Sequence, residues 1–140
     1  MNITLNRFIE AQQSIYPRVL KELRNAKKTT HWMWFIFPQI EGLGHSSTAK
    51  YYSIKSIEEG KEYIAHPILG KRLLECSNII LNIDGKSASA IFGYPDDLKL
   101  RSSMTLFNYI VPQLKVFAEV LKKYFGGDQD ERTIELLNNL

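Results

Sequence analysis

An all-α fold, a single compact orthogonal array of about eight or nine short helices, is what this sequence predicts, and three observations predict it. Apolar residues recur at three- and four-residue spacing along most of the chain. Apolar–polar alternation never persists, so strands are scarcely indicated. Helix-starting Ser, Thr, Asp and Pro and helix-ending Gly recur at short intervals, which breaks the pattern into pieces too short for a long four-helix bundle.

The elements follow in order. Asn6 to Gln13 carries Phe8, Ile9 and Gln12 in helical order, with Thr4 as a cap. Pro17 fits the first turn of a second helix, where its missing N–H costs nothing. There Val19, Leu20, Leu23 and Ala26 form the apolar face, and Arg18, Lys21, Arg24 and Lys28 the opposite one. Thr30 caps a short helix through Trp32–Phe37 that stops at Pro38. Residues 41–45 form a loop with two glycines, and Ser46 or Ser47 restarts a helix through Tyr51. Ser56 with Glu59 matches a capping box, so a helix runs from Ile57 to about Ala65. Pro67 opens the next, with Ile68, Leu69, Leu73, Cys76, Ile80 and Leu81 at near-helical spacing and Gly85 at its end. Ser87 caps a short turn that Gly93 terminates, and Asp96 or Asp97 caps a helix through about Val111. Pro112 begins another, ending at Gly126–Gly127, and Asp130 caps the last.

Composition bounds the rest. A chain of 140 residues is one domain's worth, and residues 1–140 read as a single helical domain. Area scaling leaves about 7,500 Å² exposed after folding, roughly a third of the unfolded surface. With 44% hydrophobic residues that suffices for an unstapled core. One cysteine, Cys76, excludes an internal disulfide and any multi-cysteine zinc site, and its apolar spacing marks it as a small core residue. No apolar run is long enough to span a bilayer, and the first residues lack the order of a secretory signal, so the chain reads as cytoplasmic with no membrane partner. A net charge of +3 is too small to argue for a polyanion partner. It is uneven, however. Residues 1–31 hold six Lys or Arg against Glu10 and Glu22.

Two segments depart from ordinary core patterning. Residues 30–39, THWMWFIFPQ, concentrate both tryptophans with Phe35 and Phe37. On a helix Trp32, Phe35 and Ile36 face one way as a core plug, while His31, Trp34 and Pro38 lie near another. His31 and Gln39 are polar and sit at the ends of the aromatic run. A histidine there titrates near neutrality and can act as acid, base or donor.

The second segment is PDDLKLRSSMTLF, residues 95–107. Leu100, Met104, Phe107 and Val111 form its buried stripe. Arg101, Thr105 and Asn108 make one flank, and Lys99, Ser102 and Ser103 the other. Two cations and three hydroxyls in seven residues resemble an oxyanion-binding surface. Asp96 and Asp97 equally suit an internal salt bridge with Arg101. Neither Ser102 nor Ser103 lies in a nucleophile elbow. Gly42 and Gly44, followed by Ser46–Ser47 at a helix start, suit either simple turns or a loop presenting backbone N–H groups to an anion, and no phosphate-binding P-loop or dinucleotide fingerprint is present.

HWMWFIFPQ (31–39), GLG (42–44), the HP-x-LG of His66–Gly70 and D-x-KLRSSMTLF (97–107) together resemble the family catalogued as domain of unknown function number 1810. The resemblance runs from Arg7 to about Thr133. It implies a small, mainly helical bacterial protein and transfers no catalytic residue, since no activity is established for the family.

Residues and resemblance together predict a pocket for a small anionic molecule, nucleotide- or ADP-ribose-like, with hydrolysis as the simplest chemistry. In it Trp32 or Trp34 supplies a stacking wall, Lys99 and Arg101 the charge, and His31 a catalytic proton. Gln39, Ser102, Ser103 and Thr105 complete the ligand-binding set. No cofactor or metal is called for, because His31, His45 and His66 are scattered and no H-E-x-x-H occurs. One alternative is a nucleic-acid-binding module using Arg18, Lys21, Arg24, Lys27 and Lys28. Another is a protein-interaction domain without ligand, which requires an exposed tryptophan in an apolar patch.

Overall fold

The computed structural model of the chain describes residues 5–140, and among them every regular element is a helix. There are ten: α1 (Asn6–Gln13), α2 (Tyr16–Arg24), α3 (Met33–Ile36), α4 (Ser47–Tyr51), α5 (Ile57–Ala65), α6 (Leu69–Leu81), α7 (Ala88–Phe92), α8 (Asp96–Ile110), α9 (Val116–Phe125) and α10 (Glu131–Asn138). The count is one above nine because the short turn expected after Ser87 forms a helix of its own, α7. The one β feature is an isolated parallel bridge between Ile40 and Ile54, made when Ile54 N–H donates to Gln39 O (2.8 Å) and Glu41 N–H to Ile54 O (2.9 Å). No described helix is long and apolar enough to cross a membrane.

α8 is the centre of the molecule and packs against α5, α7, α9 and α10. Its buried stripe is wider than the spacing predicts. Leu100, Met104 and Phe107 are buried, but so are Ser102, Ser103, Thr105 and Leu106 between them. Over residues 102–107 the helix is enclosed on all sides and has no polar face to show. Small hydroxyl residues suit such a place, because they let neighbouring helices approach and can return their polar atoms to the backbone one turn earlier. Ser102 Oγ donates to Leu98 O (3.2 Å) and Thr105 Oγ1 to Arg101 O (2.7 Å).

Four predicted caps form as hydrogen bonds. The Ser46, Ser56, Ser87 and Asp130 side chains accept from Ala49, Glu59, Ala90 and Thr133 N–H respectively. Pro17 sits in the first turn of α2, and Gly126 ends α9 in the left-handed region (φ 62°). Other starts differ. Thr4 lies outside the described residues. Thr30 does not cap α3; its hydroxyl donates to Glu22 Oε2 (2.6 Å) and the turn begins at Met33. α6 opens at Leu69 under His66, whose Nδ1 accepts from Ile68 N–H (3.1 Å) and Leu69 N–H (3.3 Å). It ends at Leu81, before Gly85. Neither Asp96 nor Asp97 caps α8, and α9 starts at Val116, four residues beyond Pro112.

One contiguous core joins Phe8, Leu23, Trp32, Phe37, Tyr63, Leu73, Phe107 and Phe117. Cys76 belongs to it, wholly buried, and burial pushes its thiol pKa up to about 12. The accessible surface is 7407 Å², close to the value that area scaling sets for this chain length.

Candidate functional site

The aromatic string divides around its own turn. Trp32, Met33, Ile36 and Phe37 enter the core, whereas His31 is exposed and Trp34 and Phe35 are half-buried. Trp32 is sealed by a carboxylate. Its Nε1–H donates to Glu22 Oε1 (2.9 Å), which also receives Thr29 N–H (2.7 Å) and Thr30 N–H (3.1 Å). Burial alone would raise the Glu22 pKa. The Thr30 hydroxyl, the two backbone amides and the indole outweigh it and hold the carboxyl down at about 2. Glu22 is therefore an anion that shapes the 25–32 connection, and no periodicity singles it out.

The outward residues border a cleft of about 560 Å³, lined by His31, Trp34, Phe35, Ser47, Thr48, Tyr51 and Tyr52. Two anchors build it. Gln12 Nε2 donates to Phe35 O (2.7 Å) and to Tyr63 Oη (3.2 Å), which ties α3 to α1 and α5. Arg7 donates from Nε to Tyr51 O (2.7 Å) and from Nη2 to Ser53 O (2.8 Å) and Glu59 Oε1 (2.9 Å), which fixes the end of α4. The Phe35 and Tyr52 rings then meet at 5.2 Å, and Tyr51 meets Tyr52 edge-on at 4.9 Å. The His31 imidazole has no hydrogen-bond partner among the described residues.

The two predicted segments meet at one point, where Lys99 Nζ lies 4.8 Å from the centre of the Trp34 ring. Behind it Asp96 joins two lysines: Oδ1 to Lys99 Nζ at 3.3 Å and Oδ2 to Lys28 Nζ at 2.8 Å. Lys28 Nζ lies 5.1 Å from the Trp32 ring centre. Lys28 is thus turned inward, away from the exposed Arg18, Lys21, Arg24 and Lys27 with which its spacing grouped it. Its position follows from Ala26, held left-handed (φ 55°) past the end of α2, and from the bond of Lys28 N–H to Ile91 O (2.8 Å).

Arg101, two residues along α8 from Lys99, faces a different hollow. It lines an open depression of about 850 Å³ with residues 127–132, Ile134 and Glu135, and its Nη2 lies 3.8 Å from Asp130 Oδ1. It pairs with neither Asp96 nor Asp97. Among the described residues its Nε is buried without a hydrogen-bond partner, as is the Ser103 hydroxyl. Thr105 Oγ1 accepts Asp130 N–H (2.9 Å), so that hydroxyl joins α8 to the start of α10. Gln39 contributes its carbonyl to the bridge with Ile54. His31 and Trp34 therefore share the cleft, while Lys99 touches the Trp34 ring without lining the cleft itself. Trp32, Gln39, Ser102, Ser103 and Thr105 do not line the cleft, and Arg101 lies apart. Tyr51, Tyr52 and Lys28 are neighbours that helical spacing could not assign, because the tyrosines come from the end of α4 and Lys28 from the 25–32 connection. Among the described residues no group of three His, Cys, Asp or Glu side chains converges as a metal would need.

A crystal structure of the conserved hypothetical protein Rv1873 from Mycobacterium tuberculosis is similar, with a TM-score of 0.94, 48% sequence identity and 96% of each chain covered. No curated protein matches the chain. Residues 2–137 match the family model described as Protein of unknown function (DUF1810), and the chain belongs to that family.

Proposed function

We propose that the cleft between α3 and α4 binds a small anionic ligand carrying a planar ring, of nucleotide or ADP-ribose-like class. The observation that carries this reading is the half-buried Trp34, which walls an aromatic cleft while an ammonium stands 4.8 Å from the same ring. A ring stacked on Trp34 gains contact with four aromatic side chains, and Lys99 supplies charge beside it. Ser47 and Thr48 offer hydroxyls at the rim. His31, exposed at the mouth with a free imidazole, is the group to carry a proton if the bound ligand is hydrolysed. Trp32 acts from behind by fixing the turn that presents Trp34.

Calorimetric titration against nucleotides and phosphate esters tests the reading. Binding is expected for at least one of them, weakened about tenfold or more by Trp34→Ala, since one base–aromatic stack contributes about 1–3 kcal/mol. If no compound binds or raises the melting temperature, the cleft is not a ligand site.

A further inference from the structure

We infer that Lys28 and Lys99, bridged by Asp96, seat the phosphate group of the ligand, so that the cleft selects phosphate esters over the uncharged compounds that share their ring. This rests on the reading of the Trp34 cleft and goes beyond it by assigning the anion site to a residue pair rather than to Lys99 alone. Three features carry it. The cluster holds two cations and one anion and so keeps one unmatched positive charge. The Lys28 side chain is only 7% exposed, and Asp96 and Lys99 are 20% and 24% exposed. Few places with so little water leave a charge unbalanced. Each ammonium also has three N–H donors, yet each has one carboxylate oxygen of Asp96 as its acceptor among the described residues. Each ammonium therefore keeps N–H donors that an oxyanion bound beside Asp96 could use. Both ammoniums stand over indole rings, and the nearer ring is the wall of the cleft. Asp96 lies in the first turn of the fifteen-residue α8 and holds the lysines on its two oxygens rather than capping the helix.

The experiment compares adenosine and guanosine with their 5′-monophosphates, and with inorganic phosphate, by calorimetry on the full chain and on Lys28→Met. The expected result is that a monophosphate binds about tenfold or more tightly than its nucleoside, as charge-assisted hydrogen bonds imply. Lys28→Met should erase that difference and leave nucleoside affinity unchanged. If Lys28→Met does not fold, Lys99→Met, at a more exposed position, should lower the ratio of monophosphate to nucleoside affinity. Equal binding of nucleoside and monophosphate, or a preference that survives both variants, overturns the seat while leaving the cleft standing. Lysine-dependent binding of inorganic phosphate without any nucleoside binding supports the seat and removes the stacking reading. Binding of none of the probes overturns both.

Discussion

At Glu22 one carboxylate organises a connection that carries three candidate residues. Its pKa, about 2 in the folded chain, lies below the ordinary value of 4.5. A depressed folded pKa stabilises above the unfolded value, and the contribution is lost as pH falls from about 4.5 through about 2. Two and a half pH units correspond to about 3 kcal/mol. Glu22→Gln should therefore lower stability near pH 7 by about that amount and flatten its decline between pH 5 and pH 2. Urea midpoints measured across that range check this, and a variant that keeps the wild-type slope would exclude Glu22 as the source. The sequence gives little hint of this residue. Glu22 stands between the apolar Leu20 and Leu23, and nothing in its spacing reveals that the chain returns seven to ten residues later with four donors. Trp34, by contrast, was legible as turned away from Trp32 and Ile36, but the same spacing put Phe35 with the core plug and Pro38 beside Trp34; the turn spans only Met33–Ile36, and Phe35 is half-buried at the cleft while Pro38 is buried.

Among the helices, the boundaries set by side-chain caps were legible and those set by tertiary packing were not. Ser46, Ser56, Ser87 and Asp130 each satisfy an amide three residues on, a local event that spacing predicts. The α5–α6 corner is different. There His66 replaces the expected proline start, and Gly70 lies so close to α5 that a Cβ would collide with the Ile64 carbonyl. Gly70→Ala should cost about 1–3 kcal/mol or more, since the obstacle is backbone and cannot rotate away. His66→Ala should cost about 1 kcal/mol, the usual loss for a helix start. Thermal or urea unfolding of the two variants distinguishes them, and a harmless Gly70→Ala would show that the corner can open. α8 taught the opposite lesson. Its apolar stripe was legible, but an enclosed helix and an amphipathic helix with hydroxyl flanks share one pattern until the neighbours are known.

Over the whole molecule, the all-helical class was legible and the convergence of sites was only partly so. Lys99 and Arg101 are two positions apart, about 200° around the helix axis, so a single motif serves two separate hollows. The cleft itself depends on long-range ties. Arg7 connects α1 to the end of α4 and to Glu59, with side chains 9% and 7% exposed. Arg7→Met should cost about 3 kcal/mol or more by leaving Glu59 without its guanidinium. It should also loosen Tyr51 and Tyr52, read as faster amide exchange over residues 47–53; unchanged exchange would place the support of α4 elsewhere.

The Ile40–Ile54 bridge has one more consequence. With both ends clasped by two backbone bonds, residues 41–53 leave and rejoin the body at a fixed gap. Added length in that excursion is charged only logarithmically, about 0.6 kcal/mol per doubling. Residues inserted near Gly44–His45 should therefore reshape one bank of the hollow while the opposite bank, carrying Trp34, keeps its place.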